Sequence, residues 1–174
     1  LYGCDVTTPV LMKQQYMSKW PNCISPNSVA VLDIETDVVR GTEEIICISI
    51  TFRDRAILVY TKEFVAGITN VVEGTHSLFE HYLGEHKAAR NIKLEVMVVD
   101  TPALAVIECI NRAHQWMPDF IAMWNINFDL PKIIQCLERE RYDLGEVFSH
   151  PSVPNKFRQA RFIEGAAQKV TASG

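Results

Sequence analysis

No run of apolar residues in this chain approaches the ~18–20 residues that a membrane-spanning helix needs, and its first residues lack a signal-peptide pattern. These absences argue against a membrane protein and for a cytoplasmic one (a host cell's cytoplasm if the source is viral). No C-x-x-C pair occurs among Cys4, Cys23, Cys47, Cys109 and Cys136, which disfavours a zinc site. The odd count of five suits buried or free thiols in a reducing compartment. Positive charge is short as well: 17 basic residues face 21 acidic ones, a net charge of −4. Proteins that coat long nucleic acid are usually basic, so a broad DNA-wrapping surface is not expected. A small acidic metal site remains compatible with this balance. No internal repeat is visible, and no methionine starts the chain. It opens on Leu1 and stops at TASG, which reads as a piece of something longer.

What is present fits an ordinary globular domain. The 174 residues are enough for one domain with a sizeable core. A hydrophobic content of 48% and a mean hydropathy of +0.02 sit in the range of soluble proteins. The five histidines, His76, His81, His86, His114 and His150, read mostly as surface or helix residues.

Local patterns divide the chain. Residues 1–20 are mixed in character, and PNCISPNS, Pro21 to Ser28, carries turn chemistry; residues 1–28 are therefore read as a flank and linker. VAVLDIE from Val29 reads as a strand apolar on both faces, hence central in a sheet. The stretch from Glu44 to Phe52 reads as a second strand and Ala56 to Thr61 as a third, joined by a hairpin at Arg53–Arg55. Residues 62–90 are ambiguous, with a short helix in THSLFEHYLG ending at Gly84. Lys93 to Val99 resembles another strand. A helix should follow, N-capped by Asp100 or Thr101 with Pro102 in its first turn and Pro118 beyond its end. Asp119 to Asn125 reads as a short strand, and Leu130 to Arg141 as a second helix with Asp129 near its start. The tail from Ser149 shows little periodicity.

Two carboxylates stand out. Asp33 and Glu35 end the first strand on one face, about 6–7 Å apart at the backbone. At that separation two charges repel by roughly 3 kcal/mol at an effective dielectric near 20. A divalent cation would turn repulsion into ligation, and hard oxygen donors favour Mg²⁺ or Mn²⁺. The bland alternative is that both acids are solvated where the strand ends. Haloacid-dehalogenase-like phosphatases and many glycosyltransferases also place acids two apart at a strand end. In PDFIAMWNINFDLPKII, Pro118 to Ile134, Asp129 follows a strand and starts a helix, where the dipole favours an anion. It would then be a metal ligand or simply a cap, with Asn125 a turn residue and Phe128 core.

Taken together, DIET, EEIICISI and PDFIAMWNINFDLPKII resemble the first and second exonuclease motifs of family-B DNA polymerases, in order and spacing, over about residues 29–141. Those domains are DnaQ-like 3′→5′ exonucleases. The resemblance implies an α/β, ribonuclease H-like mixed central sheet flanked by helices, over residues 29–174. It implies a proofreading exonuclease attached to a polymerase palm, fingers and thumb beyond residue 174; the alternatives are a free-standing exonuclease of the same fold acting on DNA or RNA, or a non-catalytic nucleic-acid-binding module. Asp33, Glu35 and Asp129 would be the catalytic metal ligands for a two-metal Mg²⁺ or Mn²⁺ site. Thr36, Asn125 and Phe128 would touch the single-stranded 3′ end of DNA. The chain departs from the pattern twice. W-N-I-N-F-D has the shorter spacing of DnaQ-type and protein-primed phage enzymes, which leaves Asn127 as a rival for the Asn125 role. The third motif, a Tyr or His followed by an Asp, is not found, and truncation before it is the simplest account. Tyr142–Glu146 and the His114/Asp119 pair are decoys by position.

Overall fold

A computed structural model describes residues 8–22 and 26–161. Cys4, Cys23 and the tail beyond residue 161 lie outside the described residues. The sheet is built from β1 (Val29–Thr36), β2 (Ile45–Phe52), β3 (Arg55–Thr61), β4 (Lys93–Val99) and β5 (Phe120–Ala122). The helices are α1 (Thr8–Lys19), α2 (Val71–Arg90), α3 (Pro102–Trp116), α4 (Ile126–Arg139) and α5 (Leu144–Phe148). Strand order is β4-β3-β2-β1-β5. β1, β2 and β3 run antiparallel as a meander, while β4 lies parallel to β3 and β5 parallel to β1. The result is a mixed central sheet flanked by helices.

Alternation on the strands decides which face is covered. Ala30, Leu32 and Ile34 point to one face, and the register places Ile50 and Ile48 of β2 beside Leu32 and Ile34. Ile57 and Val59 of β3 extend this apolar face. α3 lies over it with Val106, Cys109, Ile110 and Ala113, and α4 adds Ile133, Cys136 and Leu137. α3 is well specified locally. The Thr101 hydroxyl accepts the Leu104 N–H at 3.3 Å, and Pro102 occupies the first turn. Met117, in a left-handed conformation, closes it.

The opposite face is only half covered. α2 lies against the β4 side, where the Thr75 hydroxyl bonds the Tyr60 hydroxyl at 3.3 Å. The β1 side is bare: Val29, Val31, Asp33 and Glu35 are all exposed. β1 is therefore an interior strand with one buried face, not two as its apolar run suggested. Two helices also differ from expectation. α2 runs straight through Gly84 and ends at Asn91, whose left-handed backbone bonds back to Ala88 and Lys87. α1 forms in the stretch read as mixed flank. Among the described residues, no helix is long and apolar enough to cross a membrane.

Candidate functional site

The residues singled out in the sequence fall at two places, the end of β1 and the start of α4, and the charge of Asp33 acts on Asp129 across them. β5 stops at Ala122, and the chain turns through Met123 to Asn125 before α4 begins. α4 starts earlier than expected, so Asp129 sits inside its first turn. The amphipathic stripe of Ile133, Cys136 and Leu137 rotates Asp129 towards the protein, where it is 4% exposed. Its carboxylate accepts the Asn125 N–H at 3.3 Å. Burial raises the Asp129 pKa, the Asn125 N–H opposes that, and the charge of Asp33 raises it further. Asp33 thus stands within electrostatic reach of Asp129. Glu35 exerts no such effect on Asp129. Instead Glu35 and Asp33 reinforce burial in pushing the Cys47 thiol up to about 12.

The acids do not form a metal centre. Among the described residues, no group of three or more His, Cys, Asp or Glu side chains is placed to hold a metal ion. This overturns the expected two-metal Mg²⁺/Mn²⁺ site, and with it the expected DnaQ-like 3′→5′ exonuclease of a family-B DNA polymerase. The physical reason lies in orientation. Asp33 and Glu35 project from the bare face of β1 into solvent, while Asp129 is turned in under α4. The solvated-acid alternative describes Asp33 and Glu35 better.

Of the remaining candidates, Asn125 and Phe128 are exposed and Thr36 is half-buried. Phe128 is 40% exposed and stands apart from the apolar core. The Lys132 ammonium lies 5.7 Å from its ring centre and pairs with Glu43. Asn125 precedes α4 with its side chain making no capping bond. Thr36 ends β1, at a register irregularity after Glu35. Asn127 is exposed beside Phe128. Reasoning from motifs missed Trp124, which is 97% exposed in the turn before α4. Its signal in the sequence was a tryptophan set directly beside the polar turn residue Asn125, a poor place for a core residue.

The decoys serve the scaffold. The Asp119 carboxylate accepts the Ser28 N–H at 2.6 Å and its hydroxyl at 2.8 Å, pinning the starts of β1 and β5 together. Asp143 caps α5 by accepting the Glu146 N–H at 2.9 Å. His114 packs edge-on to His150, and its Nε2 lies 3.4 Å from the Phe148 carbonyl. Cys47, Cys109 and Cys136 are free and buried, and burial pushes all three thiols well up.

Compared with known protein families, the chain matches none. No curated protein is significantly similar to it.

The Asp129 environment yields a pH prediction. Its pKa is raised in the folded state, so the native protein holds this proton over a range where the unfolded chain has lost it. Stability therefore falls as pH rises from the ordinary aspartate value, about 3.9, through the raised folded value. Asp129→Asn keeps the shape and an acceptor for Asn125 but removes the charge. At pH 7 it should be more stable than wild type, seen as a higher melting temperature. The gap should close below the ordinary aspartate pKa. Thermal melts across this range check it; a less stable variant at pH 7 would mean that the Asp129 charge is compensated.

Proposed function

We propose that this chain is a non-catalytic nucleic-acid-binding module of ribonuclease H-like architecture, which takes a single-stranded end at the junction of β1 and α4. The observation that carries this reading is Trp124, almost wholly in solvent in the turn before α4, whose first turn carries the half-exposed Phe128. A fully exposed tryptophan forfeits its burial energy in the free protein, and base stacking is the interaction that exposed aromatic faces offer single strands. Thr36 and Asn125 supply a hydroxyl and an amide for the polar edge of a terminal nucleotide. The architecture is supported by the antiparallel β1–β3 meander with β5 added parallel to β1 after a helical crossover. The binding domain is taken to run from 29 to 174, with 1–28 as flank and linker. A cytoplasmic location suits this role and keeps the buried thiols reduced.

The acids shape the mode of binding. Asp33 and Glu35 repel phosphates, so the bases, not the backbone, must face the sheet. Neutralising them in Asp33→Asn/Glu35→Gln should tighten binding severalfold, most visibly at low salt, where screening is weakest. For a metal-dependent site the same change would weaken binding.

The test is fluorescence anisotropy of a labelled short oligothymidylate in EDTA, beside a duplex of equal length. The single strand should bind more tightly, and the labelled strand should remain intact. Equal affinity for the duplex, or binding that disappears in EDTA, would sink the proposal.

A further inference from the structure

Among the described residues, two surfaces carry apolar side chains that lie largely in water, and their chemistry is complementary. The first is α1. Every described side chain from Val10 to Asn22 is exposed. Val10, Lys13, Met17 and Trp20 recur at three- and four-residue spacing and so share one stripe. The Trp20 N–H bonds the Tyr16 carbonyl at 2.9 Å, extending the last turn. The stripe is apolar except for Lys13 near its middle, and α1 contains no acidic residue. The second surface is the bare face of β1 and β5. Val29, Val31 and Phe120 are 49%, 50% and 58% exposed. Parallel register sets Phe120 beside Val29, so these side chains share a face. Asp33 and Glu35 continue that face, and neither strand contains a cation.

We infer that this protein pairs with a second copy of itself, α1 of each copy lying across the bare β1–β5 face of the other, with Lys13 meeting Asp33. An apolar helix stripe with one cation matches an apolar sheet face with acids at one end. α1 is about 18 Å long and an eight-residue strand such as β1 about 26 Å, so the helix fits within the length of the strand face. The exchange is reciprocal: one surface of each copy meets the other surface of its partner twice, as a two-fold dimer requires. The linker from Trp20 to Ser28 can span up to roughly 30 Å when extended, enough to reach a neighbouring subunit. Pairing would remove Val31, Phe120, Met17 and Trp20 from water together. Asp33 and Glu35 also border the proposed nucleic-acid site, whose aromatic residues stand at the start of α4, and the test below reads self-association with no nucleic acid present.

A charge-swap experiment on the full chain decides it. Sedimentation or light scattering should show the wild type in a concentration-dependent monomer–dimer equilibrium. Lys13→Glu places a glutamate against Asp33, and Asp33→Lys places a lysine against Lys13, so each variant alone should be monomeric. Mixed together they should dimerise, because both exchanged contacts then pair opposite charges. Both positions are exposed, so folding should survive, and circular dichroism verifies that. A wild type that stays monomeric at all concentrations would overturn the inference. So would variants that each dimerise as well as wild type, or a mixture that remains monomeric.

Discussion

Replacing Leu137 with alanine should destabilise the protein by about 2–5 kcal/mol, the usual range for a fully buried leucine. At roughly 2–4 °C per kcal/mol for a domain of this size, the melting temperature should fall by roughly 4–20 °C. Leu137 is entirely buried with Ile133 on the inner stripe of α4 and belongs to the same core as Leu32, Ile48 and Ile50. Its loss removes both the transfer energy of the side chain and the dispersion contacts of the atoms that lined it. The consequence reaches the candidate site, because α4 is what aims Asn125, Phe128 and Asp129. The anchoring ion pairs along this helix, Lys132 with Glu43 and Arg139 with Glu44, are partly solvated and offset little of the loss. Nucleic-acid affinity should therefore weaken on heating at lower temperatures than in the wild type, yet match it when the variant is cold and folded. Melts followed by circular dichroism and by oligonucleotide anisotropy check both parts. A fall of less than 1 °C would mean that α4 is held by something other than this core.

The paired substitution Trp124→Ala/Phe128→Ala should cost most of the affinity for single strands while leaving the fold intact. One stacked base is worth about 1–3 kcal/mol, a factor of about 5 to 150 in the dissociation constant for each aromatic lost. Trp124 touches little that is buried, so its removal should not move the melting temperature measurably. Phe128 is the sharper case. A core role would make Phe128→Ala lose stability and keep affinity; a stacking role would do the reverse. Its exposure and its place outside the apolar core favour stacking. Anisotropy titrations of the two single variants and the double variant, each beside a melt, separate these outcomes. Unchanged affinity in the double variant would remove the main support for the proposed function.

Much of the scaffold was legible because it is dictated locally. β2, β3, β4 and α3 follow from alternation, from a short hairpin link and from a threonine cap before a proline. Thr101, not Asp100, turned out to be the cap. α2 was misread because it buries no residue, so it shows no clean apolar stripe, and Gly84 looked like a stop. A helical glycine costs only about 1 kcal/mol relative to alanine, and twenty residues of helix absorb that. The true stop, Asn91, is a weaker signal than glycine. α1 escaped notice for a related reason: Lys13 interrupts its apolar stripe. The bare face of β1 was hidden by Val29 and Val31, which look like core residues and are half in water.

By itself the sequence determined that Asp33 and Glu35 share one side of a strand, because side chains alternate with a period of two whatever lies beyond. It also determined that Asp129 stands at the start of a helix, beside Asn125 and Phe128. Whether these acids gather round one ion was settled only in three dimensions. Ninety-six positions separate Asp33 from Asp129 (129 − 33 = 96), and their meeting depends on how α4 rotates as it packs on α3 and β2. That rotation turns Asp129 inward to satisfy the core, while the uncovered half of the sheet leaves Asp33 and Glu35 in water. Packing energy along α4 is far larger than the preference of a single carboxylate for its place, so the core decides where the acid points.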